Sequence, residues 1–482
     1  MPFPRPLTKS LYVAGMQCAR RLWLEVHAPE SATPPGEFEL GLRARGESVG
    51  RAAHALFPGG VLVDTPAQDH AAAVVRTRAL VEDGAVPALF EAAFRHAGVD
   101  VRVDVLERLA DGRFGLREVK SSSKPKPGHA DDLAVQRFVV EGSGLALAST
   151  ELVHVDGDYA LGADASAPSG AAPIDWPAYF ARVEMRDALD ADPETRPEGV
   201  AGHVSRLHAE IASPAPPAVE PGSHCRRSQL CPYWAHCTAD KGPAWAIGRM
   251  RGDARIRERR LHALATGERW VSTDLAAALA PAAPPVWHLD FEALGSAIPL
   301  YPGTHPNDHI AFQWSLHGLD ADDRIEHLEF LADGDVDPRP AVAETLVAAL
   351  SGDARPIVSY SPYEARMLRD LAEHVPDRAA ELDALRSRLV DLLPIVRGHV
   401  YDAGFGSSYS IKSVAPVLAP HVTYADLEDV ADGGAAMQRF EQLVDGALTG
   451  DAAERAREGL LRYCERDTFA LMEVHRALRA IA

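Results

Sequence analysis

The chain has 482 residues, of which 46% are apolar, and this length predicts two domains because one hydrophobic core seldom organises more than about 300 residues. Acidic residues number 69 against 49 basic ones, for a net charge of −20, so the long-range field repels nucleic acid and any phosphate site must be local. The sequence has neither a run of about 20 apolar residues nor the apolar core of a secretory signal, which predicts a cytoplasmic protein without a membrane contact.

The N-terminal region offers one cysteine as a candidate metal ligand. Cys18 lies in KSLYVAGMQCARRLWL, where a lone cysteine is either a buried small apolar side chain or a ligand whose partners lie elsewhere in the chain.

The stretch VDVRVDVLERLADGRFGLREVK predicts a β-hairpin with its turn at residues 110–112. If Leu109 pairs with Arg113, Asp104 lies opposite Glu118 and Lys120 shares their face. Two carboxylates on a rigid hairpin can bind Mg²⁺ or Mn²⁺, and a nearby ammonium group can stabilise charge on a phosphate. The alternative is a cross-strand network of ion pairs on a solvated sheet face.

This hairpin resembles the PD-(D/E)xK nucleases, which carry an Asp on one strand and Glu-x-Lys on the next. The segment DLAVQRFVV puts Gln136 on a following predicted helix, where RecB-like members of that family carry a glutamine. The resemblance implies a restriction-endonuclease-like domain over residues 1–240. It also implies that Asp104 and Glu118 hold the metal and that Lys120 and Gln136 assist catalysis.

Many RecB-like nucleases carry an extra metal ligand on an early helix. The resemblance therefore makes Glu47 in RGESVG and His54 in GRAAHALF candidates for that ligand. The alternative for each is an ordinary surface residue of an amphipathic helix.

Three more cysteines, Cys225, Cys231 and Cys237, lie in HCRRSQLCPYWAHC, and a metal site built on thiolates usually needs a fourth ligand. Cys18 far upstream and this late trio bracket the hairpin, an arrangement similar to the iron–sulfur RecB-like nucleases. The resemblance implies a 4Fe-4S cluster held by these four thiolates. Two alternatives remain open: zinc on the same ligands, or His224 or His236 in place of one cysteine.

A basic segment and a Pro-rich boundary follow the cysteines. RMRGDARIRERRLHAL carries six arginines between Arg249 and Arg260, and we interpret residues 241–285 as a basic helical connector. Its arginines form either a solvated helix face or a contact with nucleic acid. The stretch APAAPPVW, which ends at Trp287, indicates the domain boundary.

The C-terminal part distributes acidic residues over several predicted elements. VWHLDFEALG predicts a strand with Asp290 and Glu292 on one face. SYSPYEARML supplies a further acid, Glu364, and Asp391 in LVDLLPIV is the reserve candidate in place of Glu364. The remaining candidates lie further along the chain: Tyr463 and Asp467, four apart on one face of a late helix, and Tyr409 and Lys412 in GSSYSIKS, a predicted helix start that can contact phosphate. The fifth cysteine, Cys464, lies on the late helix and is expected to be a buried apolar side chain.

This order resembles the DnaQ-like exonucleases of the RNase H-like fold, including their variant with Tyr-x-x-x-Asp in the last motif. The resemblance implies a 3′–5′ exonuclease domain over residues 286–482 that releases nucleoside 5′-monophosphates. It implies that four acids hold two divalent ions and that a tyrosine orients the attacking water. The ligands would be Asp290, Glu292, Glu364 and Asp467, and the tyrosine Tyr463. Glu364 departs from the family's usual Asp, which leaves the second motif open between Glu364 and Asp391.

The whole chain is therefore predicted to be an α/β protein that joins a PD-(D/E)xK domain with an iron–sulfur staple to an RNase H-like domain with a mixed sheet. It resembles a bacterial family of unknown function with this fusion. We expect a metal-dependent DNA nuclease that acts on single-stranded ends in repair or in defence against foreign DNA. The alternatives are an RNA exonuclease, because the DnaQ-like fold acts on both polymers, and a cluster-stapled scaffold that binds nucleic acid with one or both centres inactive. The sequence identifies no protein partner.

Overall fold

The computed structural model describes residues 6–164, 172–190, 199–226, 230–242, 244–245, 254–406, 408–427, 430 and 432–482. The fold is mixed α/β, as predicted, and each half of the chain is built around its own mixed sheet. Among the described helices, none combines the length and the apolar character needed to cross a bilayer.

The N-terminal half contains a seven-stranded sheet. Its strands are β1 Leu7–Thr8, β2 Val61–Leu62, β3 Ala88–His96, β4 Val99–Arg108, β5 Phe114–Lys120, β6 Leu147–Val155 and β7 Phe180–Glu184. They run in the order β2-β3-β4-β5-β6-β7, and β1 pairs with β4. The central strands are buried on both faces, because helices cover the sheet and Val, Leu and Phe fill the space between the two layers.

The predicted hairpin is confirmed residue by residue. Strands β4 and β5 are antiparallel, with Val105 opposite Arg117 and Leu106 opposite Leu116. The backbone amide of Leu109 donates a 2.9 Å hydrogen bond to the carbonyl oxygen of Arg113, which closes the turn where the sequence placed it. The turn therefore sets the register that brings the acidic side chains together.

Nine described helices surround the first sheet or lead from it. They are α1 Lys9–Gln17, α2 Ala19–His27, α3 Glu37–Ala52, α4 His70–Asp83, α5 Pro127–Gly142, α6 Trp176–Tyr179, α7 Arg186–Asp190, α8 Gly199–Ile211 and α9 Trp234–Thr238. Helix α5 crosses between the parallel strands β5 and β6, as such a connection requires. Cys18 separates α1 from α2, which pack against each other and against α8.

The C-terminal half contains a five-stranded sheet and a two-stranded one. The strands are β8 Trp270–Val271, β9 Val286–Leu294, β10 Ile310–Leu319, β11 Ile325–Leu331, β12 Ile357–Ser359, β13 Leu389–Asp391 and β14 Val400–Tyr401. The larger sheet has the order β11-β10-β9-β12-β13, with β10 antiparallel to both neighbours and β9, β12 and β13 parallel, and β8 pairs with β14. Strand β10 is buried along its whole length because helices cover both of its faces.

The described helices of this half are α10 Ala254–Thr266, α11 Leu275–Leu279, α12 Arg339–Ala349, α13 Tyr363–His374, α14 Ala379–Ser387, α15 Leu392–His399, α16 Ile411–Leu418, α17 Gly433–Val444 and α18 Asp451–Ile481. Helix α18 has 31 residues and packs on β9 and β10. Helix α10 carries the described arginines of the basic segment, and its apolar side joins the core of the C-terminal half; β8 and α11 follow it within the predicted connector. Arg249 and Arg251 of the basic segment lie outside the described residues.

Several hydrogen bonds join the two halves. The hydroxyl of Tyr179 donates a 2.8 Å bond to the carbonyl of Ala297, and Arg45 of α3 donates a 3.0 Å bond to the carbonyl of Gly295. The backbone of Leu161 also bonds to the loop at residues 303–304. Because β9 ends at Leu294, these contacts hold the end of that strand against the N-terminal half.

Candidate functional site

The hairpin brings Asp104 and Glu118 into one buried site. They occupy the next opposed pair beyond Val105 and Arg117, and Oδ2 of Asp104 accepts a 2.7 Å hydrogen bond from the backbone amide of Val119. Gln136 of α5 donates a 2.6 Å bond from Nε2 to Oε2 of Glu118. The geometry therefore places all three predicted residues together.

Two lysines neutralise Glu118. Nζ of Lys120 lies 2.7 Å from Oε1 of Glu118 and 2.5 Å from Oδ2 of Asp132. Lys9, at the start of α1, was not anticipated from the sequence, and its Nζ lies 3.0 Å from Oε1 of Glu118 and 4.0 Å from Asp104. A lysine thus bridges the two acids where a cation would be expected. Lys9 directly follows β1, a strand of two residues that pairs with β4 far along the chain, and so short a strand leaves no pattern in the sequence that predicts this contact.

The two acids have opposite pKa shifts. Burial, followed by the negative charge of Glu118, raises the pKa of Asp104 to about 7. Burial also opposes ionisation of Glu118, but Lys9 and Lys120 outweigh it and hold the pKa of Glu118 at about 2. Near neutral pH, Glu118 is therefore ionised and Asp104 is partly protonated in the absence of a metal ion.

A third carboxylate, Glu91 of β3, approaches this pair. It lies opposite Asp104, between the registered pairs Phe90 with Val105 and Ala92 with Val103. Its φ of 55° is in the left-handed region, which is uncommon for residues other than glycine and costs on the order of 1–3 kcal/mol. Burial raises the pKa of Glu91. The sequence pattern could not reveal it, because a glutamate within a strand signals no particular backbone conformation.

The early candidates Glu47 and His54 make other contacts. The ring of His54 stacks on that of Phe90 with centroids 3.7 Å apart. The side chain of Glu47 is 73% exposed and forms a 4.0 Å ion pair with Arg51. The exposure of Glu47 agrees with the surface role that was its alternative to metal binding, whereas His54 packs on Phe90.

The four predicted cysteine ligands line one cavity. Cys18 lies between α1 and α2, and Cys225, Cys231 and Cys237 reach it from a segment some 207 residues away. Gln17 donates a 2.8 Å hydrogen bond to the carbonyl of His224, which joins the two segments directly. His224 also lines the cavity, but all four thiols are present without it.

The donor set fits a metal centre. All five cysteines are free thiols, and burial raises the pKa of both Cys231 and Cys237, while a nearby arginine opposes the rise and the neighbouring thiols add a smaller increase. Thiolates around one zinc ion lie about 3.8 Å apart, given a Zn–S distance of about 2.3 Å. Among the described residues, the groups of three or more ligand atoms within 4.8 Å of one another do not include these cysteines.

The space between the thiols is small. The cavity measures about 10 Å³, close to the volume that one water molecule requires. The chemistry of four converging thiols is common to both alternatives.

The four predicted acidic ligands of the C-terminal half converge on a single cavity of about 1050 Å³. Asp290 and Glu292 project from β9, Glu364 from the first turn of α13, and Asp467 from α18, and all four line the cavity. Asp391, the reserve candidate, instead caps α15, where its side chain accepts a 2.9 Å hydrogen bond from the backbone amide of Leu393. The geometry thus favours Glu364 over Asp391.

These four acids repel one another. Burial, followed by the charges of Asp467, Glu292 and Glu364, raises the pKa of Asp290 well above its usual range. Burial and Asp467 raise the pKa of Glu292 in the same way, and burial raises the pKa of Glu364 to about 7. Lys412 is the cation that opposes these shifts at Glu292 and Asp467. The cluster therefore has more negative charge than its described neighbours offset.

Two tyrosines orient Asp467. The hydroxyl of Tyr424 donates a 2.6 Å hydrogen bond to Oδ1 of Asp467, and Tyr463 also hydrogen-bonds to this carboxylate. Nζ of Lys412 lies 5.9 Å from the ring centre of Tyr424 and 5.4 Å from that of Tyr463. Tyr463 was predicted from its spacing, but Tyr424 was not, because it lies in a loop with no periodic pattern.

Basic residues line the same cavity. Arg257 and Arg260 come from the connector helix α10, and Arg397 comes from α15. The guanidinium of Arg260 is buried and stacks over the ring of Tyr409, with 4.5 Å between its central carbon and the ring centre. The predicted Tyr409 thus supports an arginine of the cavity wall. Cys464 is fully buried, as expected.

Comparison with known families gives a partial match. A family model described as a domain of unknown function, DUF2779, matches residues 287–410. This range contains Asp290, Glu292 and Glu364 and ends before Asp467. No curated protein matches the chain. The family description states no activity, so the chemistry of the two acidic sites is what indicates a function.

Proposed function

We propose that the protein is a metal-dependent nuclease with two phosphodiesterase centres, acting on single-stranded DNA ends in repair or in defence against foreign DNA. The observation that carries this proposal is the convergence of four acids, Asp290, Glu292, Glu364 and Asp467, in one large cavity. Buried carboxylates of like charge are costly unless cations compensate them. Oxygen ligands in this number suit Mg²⁺ or Mn²⁺.

The side chains of the second centre support a division of roles. When bound, divalent ions would activate water and stabilise charge on the leaving 3′ oxygen. Tyr463 would orient the attacking water, while Tyr424 fixes the carboxylate of Asp467 through its 2.6 Å hydrogen bond. Arg257 and Arg397 would contact substrate phosphates, since arginine presents paired donors to phosphate oxygens. The expected product is a nucleoside 5′-monophosphate.

The arginines that line the cavity also bear on how so acidic a chain could bind nucleic acid. A net charge of −20 repels a polyanion at long range, so a nucleic-acid substrate requires a local positive surface. Helix α10 supplies that surface to the cavity through Arg257 and Arg260. This contact favours a nucleic-acid role for the connector arginines that line the cavity over a purely solvated helix face.

The first centre would use Asp104 and Glu118 as metal ligands, with Glu91 as a further carboxylate. Lys120 would stabilise charge on the scissile phosphate, and Gln136 would position Glu118. Lys9 bridges the acids in the metal-free protein and would have to share their charge with a bound ion. These roles correspond to those that the RecB-like resemblance implies for Asp104, Glu118, Lys120 and Gln136.

The cysteine centre is proposed to hold a 4Fe-4S cluster, with zinc as the alternative. Its role would be to join α1 and α2 to the segment that carries Cys225, Cys231 and Cys237. That joint also bears on the first centre, because Lys9 begins the helix that ends just before Cys18. Loss of the cluster would therefore disturb the first centre through α1.

A degradation assay tests the proposed function. The anaerobically purified full chain is incubated with matched 5′-labelled single-stranded DNA and RNA in Mg²⁺ or Mn²⁺, and Glu292→Gln serves as the control for contaminating nucleases at the second centre. We expect the wild type to shorten DNA from its 3′ end, a chelator to stop it, and RNA to react more slowly. Faster cleavage of RNA would favour the RNA exonuclease, and tight binding without cleavage of either polymer would favour the scaffold.

A further inference from the structure

A group of metal-ligating side chains lies on the larger C-terminal sheet, apart from the four acids. His317 of β10, His327 of β11 and Glu465 of α18 place one ligand atom each within 4.8 Å of one another. The two histidines are directly paired across the antiparallel strands, and their rings stack with centroids 4.5 Å apart. Three different elements therefore deliver two imidazoles and a carboxylate to one point.

Each imidazole is held through one of its nitrogens. Nδ1 of His317 lies 2.8 Å from Oγ1 of Thr468, and Nε2 of His327 lies 3.0 Å from Oγ of Ser315. The hydroxyls of Ser315 and Thr468 are themselves 2.7 Å apart. Histidines that bind metals usually make such a hydrogen bond with the second nitrogen, which fixes the tautomer and the ring orientation. The other ring nitrogens, Nε2 of His317 and Nδ1 of His327, take no part in these hydrogen bonds.

The environment also suits metal binding. His317 is buried and Glu465 is exposed, so the group extends from the core to the surface and an ion can enter from solvent. Burial, and then the neighbouring His327, lowers the pKa of His317 to about 3. His317 is therefore neutral at physiological pH, which is the form that binds a metal ion.

We propose that His317, His327 and Glu465 form a further metal centre, which takes a borderline divalent transition ion such as zinc. Imidazole nitrogens favour zinc over magnesium, and two histidines with one carboxylate are a known three-ligand set for zinc that leaves one position open. The centre differs in ligand chemistry from the acids in the large cavity and from the cysteines. It does not depend on the proposed nuclease function.

An ion at this position would have a structural consequence. Strand β11 is at the edge of its sheet and much of it is exposed, and α18 packs across β9 and β10 and also contacts β11. A bound ion would join β11 to α18 beside Thr468, the residue that follows Asp467. We therefore expect zinc to stabilise the position of α18 on the sheet.

The test is zinc binding by the full chain. Wild type, His327→Ala and Glu465→Gln are stripped with a chelator and titrated with zinc chloride, and bound zinc is counted by elemental analysis after dialysis. Both substitutions affect partly or fully exposed side chains, so circular dichroism should remain unchanged. The matched control is His305→Ala, a surface histidine that pairs with Asp308.

We expect wild type and His305→Ala to bind one more equivalent of zinc than the two ligand variants, whose affinity for that equivalent should fall by at least about 100-fold. Cobalt substitution should give a visible d–d spectrum that is lost in His327→Ala while the thiolate charge-transfer bands of the cysteine centre persist. Equal zinc in all four proteins would overturn the proposal. Neither measurement uses nuclease activity, so this result and that of the degradation assay are independent.

Discussion

The hydroxyl of Tyr424 donates a 2.6 Å hydrogen bond to Oδ1 of Asp467, across 43 residues of sequence. Asp467 also bonds to Tyr463 on its own helix. A carboxylate held by two donors cannot rotate freely, so its free oxygen lone pairs point to a fixed place in the cavity. This relationship makes the loop before α17 part of the second centre.

Removing the hydroxyl of Tyr424 or of Tyr463 should lower the rate of 3′-end degradation by different factors. Tyr424→Phe loses a hydrogen bond to a charged group, a net contribution of about 1.5–3 kcal/mol, so the rate of 3′-end degradation should fall at least about 10-fold. The rate of 3′-end degradation by Tyr463→Phe should fall about 100-fold or more, because Tyr463 is proposed to orient the reacting water as well. Single-turnover rates on labelled single strands measure both effects. Wild-type rates in both variants would contradict these roles.

The two centres should be separable. Lys120→Ala should silence the first centre and Asp467→Ala the second, because each set of acids lies on its own sheet. Removing one carboxylate leaves the remaining ligands unable to fix both metal ions of the second centre. Product patterns from labelled strands should show partial cleavage in each single variant and none in the double variant. If Asp467→Ala alone abolished all cleavage in a folded protein, the two-centre proposal would be wrong.

Stability should depend on pH through Glu364. Its pKa is raised from 4.5 to about 7 in the folded protein, so the folded state retains a proton that the unfolded state releases. The stabilisation is complete below pH 4.5 and is lost as the pH rises through about 7. Glu364→Gln lacks this titration. Without added metal, the melting temperature of the wild type should therefore fall relative to that of the variant as the pH rises from about 5 to about 8.

Two comparisons check this prediction. Buried histidines such as His317, with a lowered pKa, act in the opposite direction, so the informative quantity is the difference between variant and wild type. Adding Mn²⁺ at the higher pH should stabilise the wild type more than Glu364→Gln, because the ion replaces the proton among the acids. A difference in melting temperature that stays constant with pH would contradict the assignment.

The cysteines offer a matched pair of substitutions. Cys18→Ser should abolish bound iron, or remove the zinc equivalent of the cysteine centre if the alternative holds, because Cys18 is the one predicted ligand on the N-terminal side of the cavity. Cys464→Ala should retain the metal, since Cys464 is buried on α18 beside the backbone of Asp290. Iron, sulfide and zinc contents after anaerobic purification, with the absorption spectrum, measure the outcome. Full metal content in Cys18→Ser would remove it from the ligand set.

Local sequence patterns were sufficient to predict how the side chains within each acidic site are arranged. The turn at residues 110–112 fixes the hairpin register, and strand period 2 then places Asp104, Glu118 and Lys120 together. The same rule places Asp290 and Glu292 on one face of their strand, and the helical period places Tyr463 and Asp467 on one face of their helix. These predictions succeeded because each depends only on backbone geometry within a single hairpin, strand or helix.

Long-range packing sets which side chains approach those faces from elsewhere in the chain. Lys9, Glu91 and Tyr424 reach the acids through packing or through an unusual backbone angle, neither of which leaves a periodic mark in the sequence. Glu364 is favoured over Asp391 because the side chain of Asp391 caps a helix terminus. The arginines of α10 likewise became part of the cavity wall only because the connector's apolar side packs on the C-terminal core. Such long-range contacts are set by the burial of apolar surface in the whole fold, which no local pattern encodes.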